Sequence, residues 1–303
     1  MRQIVIWTAG IVLVGVLALA IFYAWAVRSQ SVATLDRLDR WFAQDGAELA
    51  RGPVAYGDHP QQRLFVWRPE ELADDAEAPV VVFYHGGGWH SGDPVDYGFV
   101  GRMLARHGYV AVVAGYRLGE AGRYPAMLED GAAALRWTVD EIAALGGDPE
   151  RIALMGHSAG AYNAVMLALD PRWLDEAGLP PGTIDAAIGL SGPYNFAPFT
   201  SDSARAAFGH VEPVEITQPI TFATGEIPPL LLLTGDGDET VEPRNTRELA
   251  AAVEAAGITA DTAFLDDVGH AGPIMQLAAP FSRDQRTQQA VLTFLAQRFA
   301  SRD

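Results

Sequence analysis

Residues Pro79 to Tyr84 read PVVVFY, an unbroken apolar run rich in β-branched side chains. A strand with one wet face alternates apolar and polar residues, whereas an unbroken run is buried on both faces. Such a strand needs covering layers above and below. Tyr109–Ala114, Arg151–Met155, Asp185–Leu190, Leu230–Thr234 and Ala260–Leu265 read as further strands. Val95–His107, Ala126–Leu145, Ala159–Leu169, Arg244–Ala256 and Arg283–Phe299 carry helical patterns between or after them. The alternation predicts an α/β fold, a mostly parallel central sheet with helices on both faces. Val54–Tyr56 and Arg63–Trp67 flank Gly57-Asp58-His59-Pro60 and read as a leading hairpin. The stretch 191–227 breaks the alternation and is expected to be a cap-like insertion over the site.

Composition narrows the chemistry. The chain has 303 residues, 49% of them hydrophobic and 19% charged, enough apolar surface for one large core. The net charge of −17 repels phosphate backbones, so no nucleic-acid partner is expected. Cysteine is absent, which excludes disulfides, thiolate nucleophiles and Cys-ligated metal sites. All 21 cationic side chains are Arg, so Schiff-base and Walker-lysine chemistry are excluded as well. No cofactor and no metal are implied.

No charged residue occurs from Ile4 to Val27, 24 residues in all. As a helix this run would span about 36 Å, against a bilayer core of about 30 Å. Arg2 and Arg28 bracket it, and Trp7, Tyr23 and Trp25 lie near its ends. The reading is an N-terminal transmembrane helix over 1–28. A connecting helix and linker over 29–53 and the α/β domain over 54–303 follow it. The expected location is a single-pass membrane protein with a cytoplasmic N-terminus and an exported domain. A cleaved signal peptide and a secreted domain are the alternative, since Ala24-Trp25-Ala26 offers a small-x-small site.

Three loops at strand ends carry candidate chemistry. Gly156-His157-Ser158-Ala159-Gly160 follows an apolar strand and opens a helix, the setting in which G-x-S-x-G forms a nucleophile elbow. His85-Gly86-Gly87-Gly88-Trp89 follows Pro79–Tyr84, and its glycines let backbone N–H groups face a ligand. The N–H of Ala159 would be the partner donor. Asp238 lies beyond Leu230–Thr234 and His270 beyond Ala260–Leu265, giving the order Ser158, Asp238, His270. Asp236 and Glu242 are alternatives to Asp238, and calcium binding by this acidic cluster is a weaker reading. His85, Trp89, His90 and Tyr194 are candidate substrate-binding residues, His85 as a loop brace rather than a base. His157 is expected to pack against the turn.

HGGGW, GHSAG, GDGDETV and VGHAG together resemble the esterase/lipase branch of the α/β-hydrolase superfamily. The nearest groups are hormone-sensitive-lipase-like and feruloyl-esterase-like carboxylesterases. Tyr116-Arg117, Tyr124-Pro125 and the run from Asp130 to Trp137 extend the similarity, which covers about Val54 to Phe299. The resemblance implies a Ser158 nucleophile, a His270 base, an Asp238 orienter and an oxyanion hole from Gly87, Gly88 and Ala159. It implies hydrolysis of a small-molecule carboxylic ester. Ser191-Gly192-Pro193-Tyr194 is also similar to arylformamidases, which would apply the same triad to an amide-like carbonyl. A non-catalytic membrane-tethered binding module is the reading from another class.

Overall fold

The computed structural model describes residues 32–42, 45–73 and 76–300. The helices are α1 (Val32–Phe42), α2 (Gly98–Arg106), α3 (Ala126–Glu141), α4 (Ala159–Leu169), α5 (Arg172–Glu176), α6 (Asp202–Phe208), α7 (Arg244–Ala255), α8 (Gly272–Met275) and α9 (Arg286–Ala300). The strands are β1 (Ala47–Ala55), β2 (Arg63–Pro69), β3 (Ala78–Tyr84), β4 (Val110–Ala114), β5 (Gly147–His157), β6 (Ala186–Leu190), β7 (Leu230–Gly235) and β8 (Ala260–Leu265). They form one eight-stranded sheet in the order β1-β2-β4-β3-β5-β6-β7-β8. β1 and β2 join antiparallel, and every pair from β4 onward is parallel.

The unbroken apolar strands are explained by two cores. Val80, Val82 and Tyr84 of β3 face one core with Leu135, Tyr162, Val165 and Val253 of α3, α4 and α7. Val81 and Phe83 face the other with Leu35, Met103, Val291 and Phe294 of α1, α2 and α9. The period-2 alternation of a strand sends successive side chains to opposite layers, so both must be apolar.

The sheet starts earlier than the expected boundary at 54. Ala47–Ala55 pairs with β2, so part of the presumed linker is the edge strand. Its half-exposed alternation, broken by bulges at Arg51 and Val54, left little apolar signal. The preceding helix α1 also packs on the domain. Asp36 and Asp39 are buried on Arg102 of α2, with contacts of 2.7 and 2.6 Å. Asp39 accepts the Ala279 backbone N–H as well, at 2.7 Å. The Arg102 guanidinium lies 5.2 Å from the Trp67 ring centre. The expected transmembrane helix over 1–28 falls outside the described residues. Among the described residues no helix is long and apolar enough to cross a membrane.

The irregular stretch 191–227 contains α6 and two short 3₁₀ turns, Val214–Thr217 and Pro219–Phe222. Phe208 of α6 is fully buried. It meets Trp89 edge-on at 4.8 Å and Phe196 at 5.4 Å between ring centres. This aromatic cluster fixes the insertion beside the carboxyl ends of the central strands.

Candidate active site

Ser158 sits between β5 and α4 with φ 55° and ψ −119°, a conformation uncommon for a side-chain-bearing residue. Its N–H donates to the Leu190 carbonyl at 2.8 Å, which holds the turn to β6. The crowding shows at Gly160, where a Cβ would lie 2.0 Å from the Tyr84 carbonyl oxygen. The sharp turn leaves the Ser158 hydroxyl on the pocket wall, where it donates to His270 Nε2 at 2.9 Å. His270 Nδ1–H donates to Asp238 Oδ2 at 2.8 Å. Asp238 Oδ1 accepts the backbone N–H groups of Thr240 and Val241, each at 2.9 Å.

Burial pushes the Asp238 carboxyl up. The His270 hydrogen bond and the two backbone donors outweigh it and hold the group below the ordinary carboxylate range. The other acidic candidates are engaged elsewhere. Asp236 accepts the Asp267 N–H at 2.9 Å and Glu242 pairs with Arg244 at 2.9 Å. Neither reaches His270. The described residues contain no cluster of three or more His, Cys, Asp or Glu suited to a metal, so the calcium reading finds no support there.

Gly87, Gly88 and Ala159 border the same pocket. Among the described residues no backbone hydrogen bond takes up their N–H groups. Ala159 is the first residue of the 11-residue helix α4, whose N-terminus favours negative charge. Gly87 has φ 124°, and a Cβ there would sit 2.0 Å from the Ser91 carbonyl oxygen, so only glycine fits this loop.

Of the four candidate substrate residues, two reach the pocket. Trp89 lines it, with Nε1 donating to Asn163 Oδ1 at 3.3 Å, and His90 lines it from the exposed rim. His85 and Tyr194 do not. His85 is buried, with its ring stacked 4.5 Å from Tyr116 and Nδ1 donating to Gly86 O at 2.8 Å. Burial pushes its pKa down to about 4, so it is a neutral brace. Tyr194 is fully buried, its ring filling the space beside Gly189 and Gly192. Its placement follows from that missing volume: a Cβ on Gly189 would lie 1.9 Å from the Tyr194 hydroxyl.

His157 does more than pack. Its Nε2–H donates to the His270 backbone carbonyl at 3.1 Å, tying the elbow to the histidine loop. Burial, and next the neighbouring His270, push its pKa down to about 3, so it stays neutral.

The pocket holds about 720 Å³ and is lined by two groups of apolar side chains. One is built from Trp89, Pro193, Phe196 and Ala204, beside the insertion. The other is built from Val32, Leu35 and Leu38 of α1 with Ile274, Met275 and Phe281. The insertion 191–227 was expected over the site and lines it, and the helix that follows the apolar run lines it too. The contribution of Ile274, Met275 and Phe281 was missed, because a four-residue helix and a three-residue 3₁₀ turn leave no periodic signal.

A mostly parallel sheet with a serine elbow, a glycine loop and a late histidine defines an α/β-hydrolase fold. The chain belongs to the BD-FAE family, which it matches over residues 66–253. It is 30% identical over 275 residues to esterase LipC of Mycobacterium tuberculosis, covering 83% of this chain and 66% of that protein. It is 28% identical to isoprenylcysteine alpha-carbonyl methylesterase ICME of Arabidopsis thaliana, covering 76% of this chain and 58% of that protein. The chain thus spans roughly three-fifths of the length of these curated relatives. An inhibited esterase B from Lactobacillus rhamnosis superposes with a TM-score of 0.76 at 20% identity, covering 94% of this chain and 97% of that one. This last likeness concerns the fold alone.

Proposed function

We propose that the protein is a serine carboxylesterase acting through Ser158, His270 and Asp238. The observation that carries this reading is the unbroken hydrogen-bonded relay from Asp238 to the Ser158 hydroxyl, on the wall of a pocket bordered by free backbone donors. Relatives named esterases support the choice of an ester bond.

Ser158 Oγ attacks the ester carbonyl carbon while its proton passes to His270 Nε2. The carbonyl oxygen becomes an oxyanion, held by the N–H groups of Gly87, Gly88 and Ala159 and favoured by the α4 N-terminus. Collapse breaks the bond to the alkoxy oxygen, which takes the proton from His270 and leaves as the alcohol. Water then gives its proton to His270 and attacks the acyl-enzyme, releasing the acid and restoring Ser158. Asp238 stays ionised throughout and holds the imidazole with Nε2 free to accept.

Ser158→Ala, assayed on p-nitrophenyl butyrate, is the test. The expected loss of kcat is at least about 10⁴-fold, and the purified wild type is expected to react covalently with a fluorophosphonate probe. Retained activity in the variant refutes the assignment. A formanilide assayed in parallel separates ester from amide-like substrates. Membrane attachment through 4–27 with an exported domain belongs to this proposal too, and rests on the uncharged apolar run.

A further inference from the structure

Helix α1 presents two kinds of apolar surface. Leu35 is buried against the domain, and Leu38 lines the catalytic pocket. One turn further on, Trp41 is 81% exposed and Phe42 62% exposed. Thr34, Leu38, Trp41 and Phe42 recur at i, i+4, i+7 and i+8, so they share one flank of the helix. That flank runs without interruption from the pocket wall to open surface. Val95, another exposed large hydrophobic residue, stands in the 3₁₀ turn Pro94–Tyr97 that packs against α1. Bare aromatic surface of this kind is costly in water and marks a contact. The buried Asp36–Arg102–Asp39 cluster clamps α1, so the patch and the pocket keep a fixed relation.

The sequence indicates what meets this flank. The uncharged run Ile4–Val27 ends four residues before α1. The five steps from Val27 to Val32 reach at most about 18 Å even when extended. Any bilayer that takes up the run therefore lies beside the end of α1 that lines the pocket. Trp and Phe at such a boundary seat in the headgroup region.

We propose that the α1 flank rests on a lipid bilayer and that the pocket draws its ester from that bilayer. This rests on the esterase reading and assigns its substrate class: apolar esters that partition into membrane, in preference to esters dissolved in water. The pocket supplies a matching interior, since Val32, Leu35 and Leu38 of α1 line it together with Met275 and Phe281.

The test uses the full chain reconstituted in phosphatidylcholine vesicles, with the double variant Trp41→Ser/Phe42→Ser beside it. Two substrates are assayed, soluble p-nitrophenyl butyrate and p-nitrophenyl palmitate dissolved in the vesicle. The expected result is unchanged butyrate turnover with palmitate turnover down at least about tenfold, the effect of unseating even one of the two large apolar side chains. Brominated phosphatidylcholine should quench the wild type more than a Trp41→Phe variant. Equal palmitate turnover in wild type and double variant overturns the proposal, as does unquenched Trp41 emission. A dimer that becomes monomeric in the double variant, with palmitate turnover unchanged, makes the flank a self-association face and also overturns it. No serine-dependent butyrate turnover in the wild type would instead bring down the esterase reading itself.

Discussion

Asp238→Asn is the sharpest perturbation of the site, because it changes one hydrogen-bond polarity and almost nothing else. Oδ1 of Asp238 accepts two backbone N–H groups, from Thr240 and Val241, and an amide oxygen can keep both. Oδ2 accepts from His270 Nδ1 at 2.8 Å. Replacing it with an amide nitrogen puts a donor against Nδ1. The imidazole must then carry its proton on Nε2, pointing at a Ser158 hydroxyl 2.9 Å away that it should be deprotonating. In a serine protease the same tautomer error lowers kcat about 10⁴-fold, which is about 5.4 kcal/mol of transition-state stabilisation.

Stability should respond far less. The two backbone bonds persist, and a charge-assisted bond becomes a neutral one, a loss of about 1 kcal/mol. Asp238→Ala differs, because it strands the Thr240 and Val241 N–H groups at about 1–3 kcal/mol each. The assay is kcat/KM on p-nitrophenyl butyrate, paired with urea denaturation of both variants. Activity of Asp238→Asn within tenfold of wild type would refute the orienting role. A urea midpoint as low as that of Asp238→Ala would refute the account of Oδ1 as a retained backbone acceptor.

Two further outcomes follow from buried charge. Folded His85 and His157 titrate at about 4 and about 3, whereas an unfolded histidine titrates near 6.5. Below pH ~6.5 the unfolded chain takes up protons that the folded chain refuses, so stability is full above that pH and falls as acid is added. At pH 5 each costs about 2 kcal/mol. Denaturation at pH 7.5 and 5.0 should show the loss, and His157→Gln should reduce it, while an identical pH slope in that variant would count against the assignment. Arg102→Met leaves Asp39 buried without its cation, while Asp36 keeps Arg40 at 2.6 Å, and should cost about 3–5 kcal/mol. Adding Asp36→Asn and Asp39→Asn should restore much of the urea midpoint, and no restoration would show that Arg102 acts by packing alone.

The sheet was legible because burial on both faces leaves a one-dimensional trace. β3 and β4 are almost uninterrupted apolar runs, which mark both as strands in the sequence itself. Of β1 only the end at Val54 and Ala55, the first arm of the expected hairpin, was legible, since the rest alternates between half-buried and exposed and its register slips at Arg51 and Val54. The elbow was legible for a different reason. A turn in which a Cβ at Gly160 would meet a carbonyl oxygen at 2.0 Å admits very few residues, so the motif is written in the sequence itself.

Side-chain destinations were harder to read than backbone elements. His85 and Trp89 are four residues apart in one loop, yet His85 turns inward onto Tyr116 while Trp89 faces the pocket. Periodicity cannot settle that choice, because the loop has none. Tyr194 looked like a substrate contact from its place after β6, but the space left by Gly189 and Gly192 draws its ring inward. The same logic applies to α1. Its aspartates are buried because an arginine 63 and 66 residues away in sequence meets them. Partners that distant leave no local pattern, so the clamp that sets one wall of the pocket is visible only once the chain has folded.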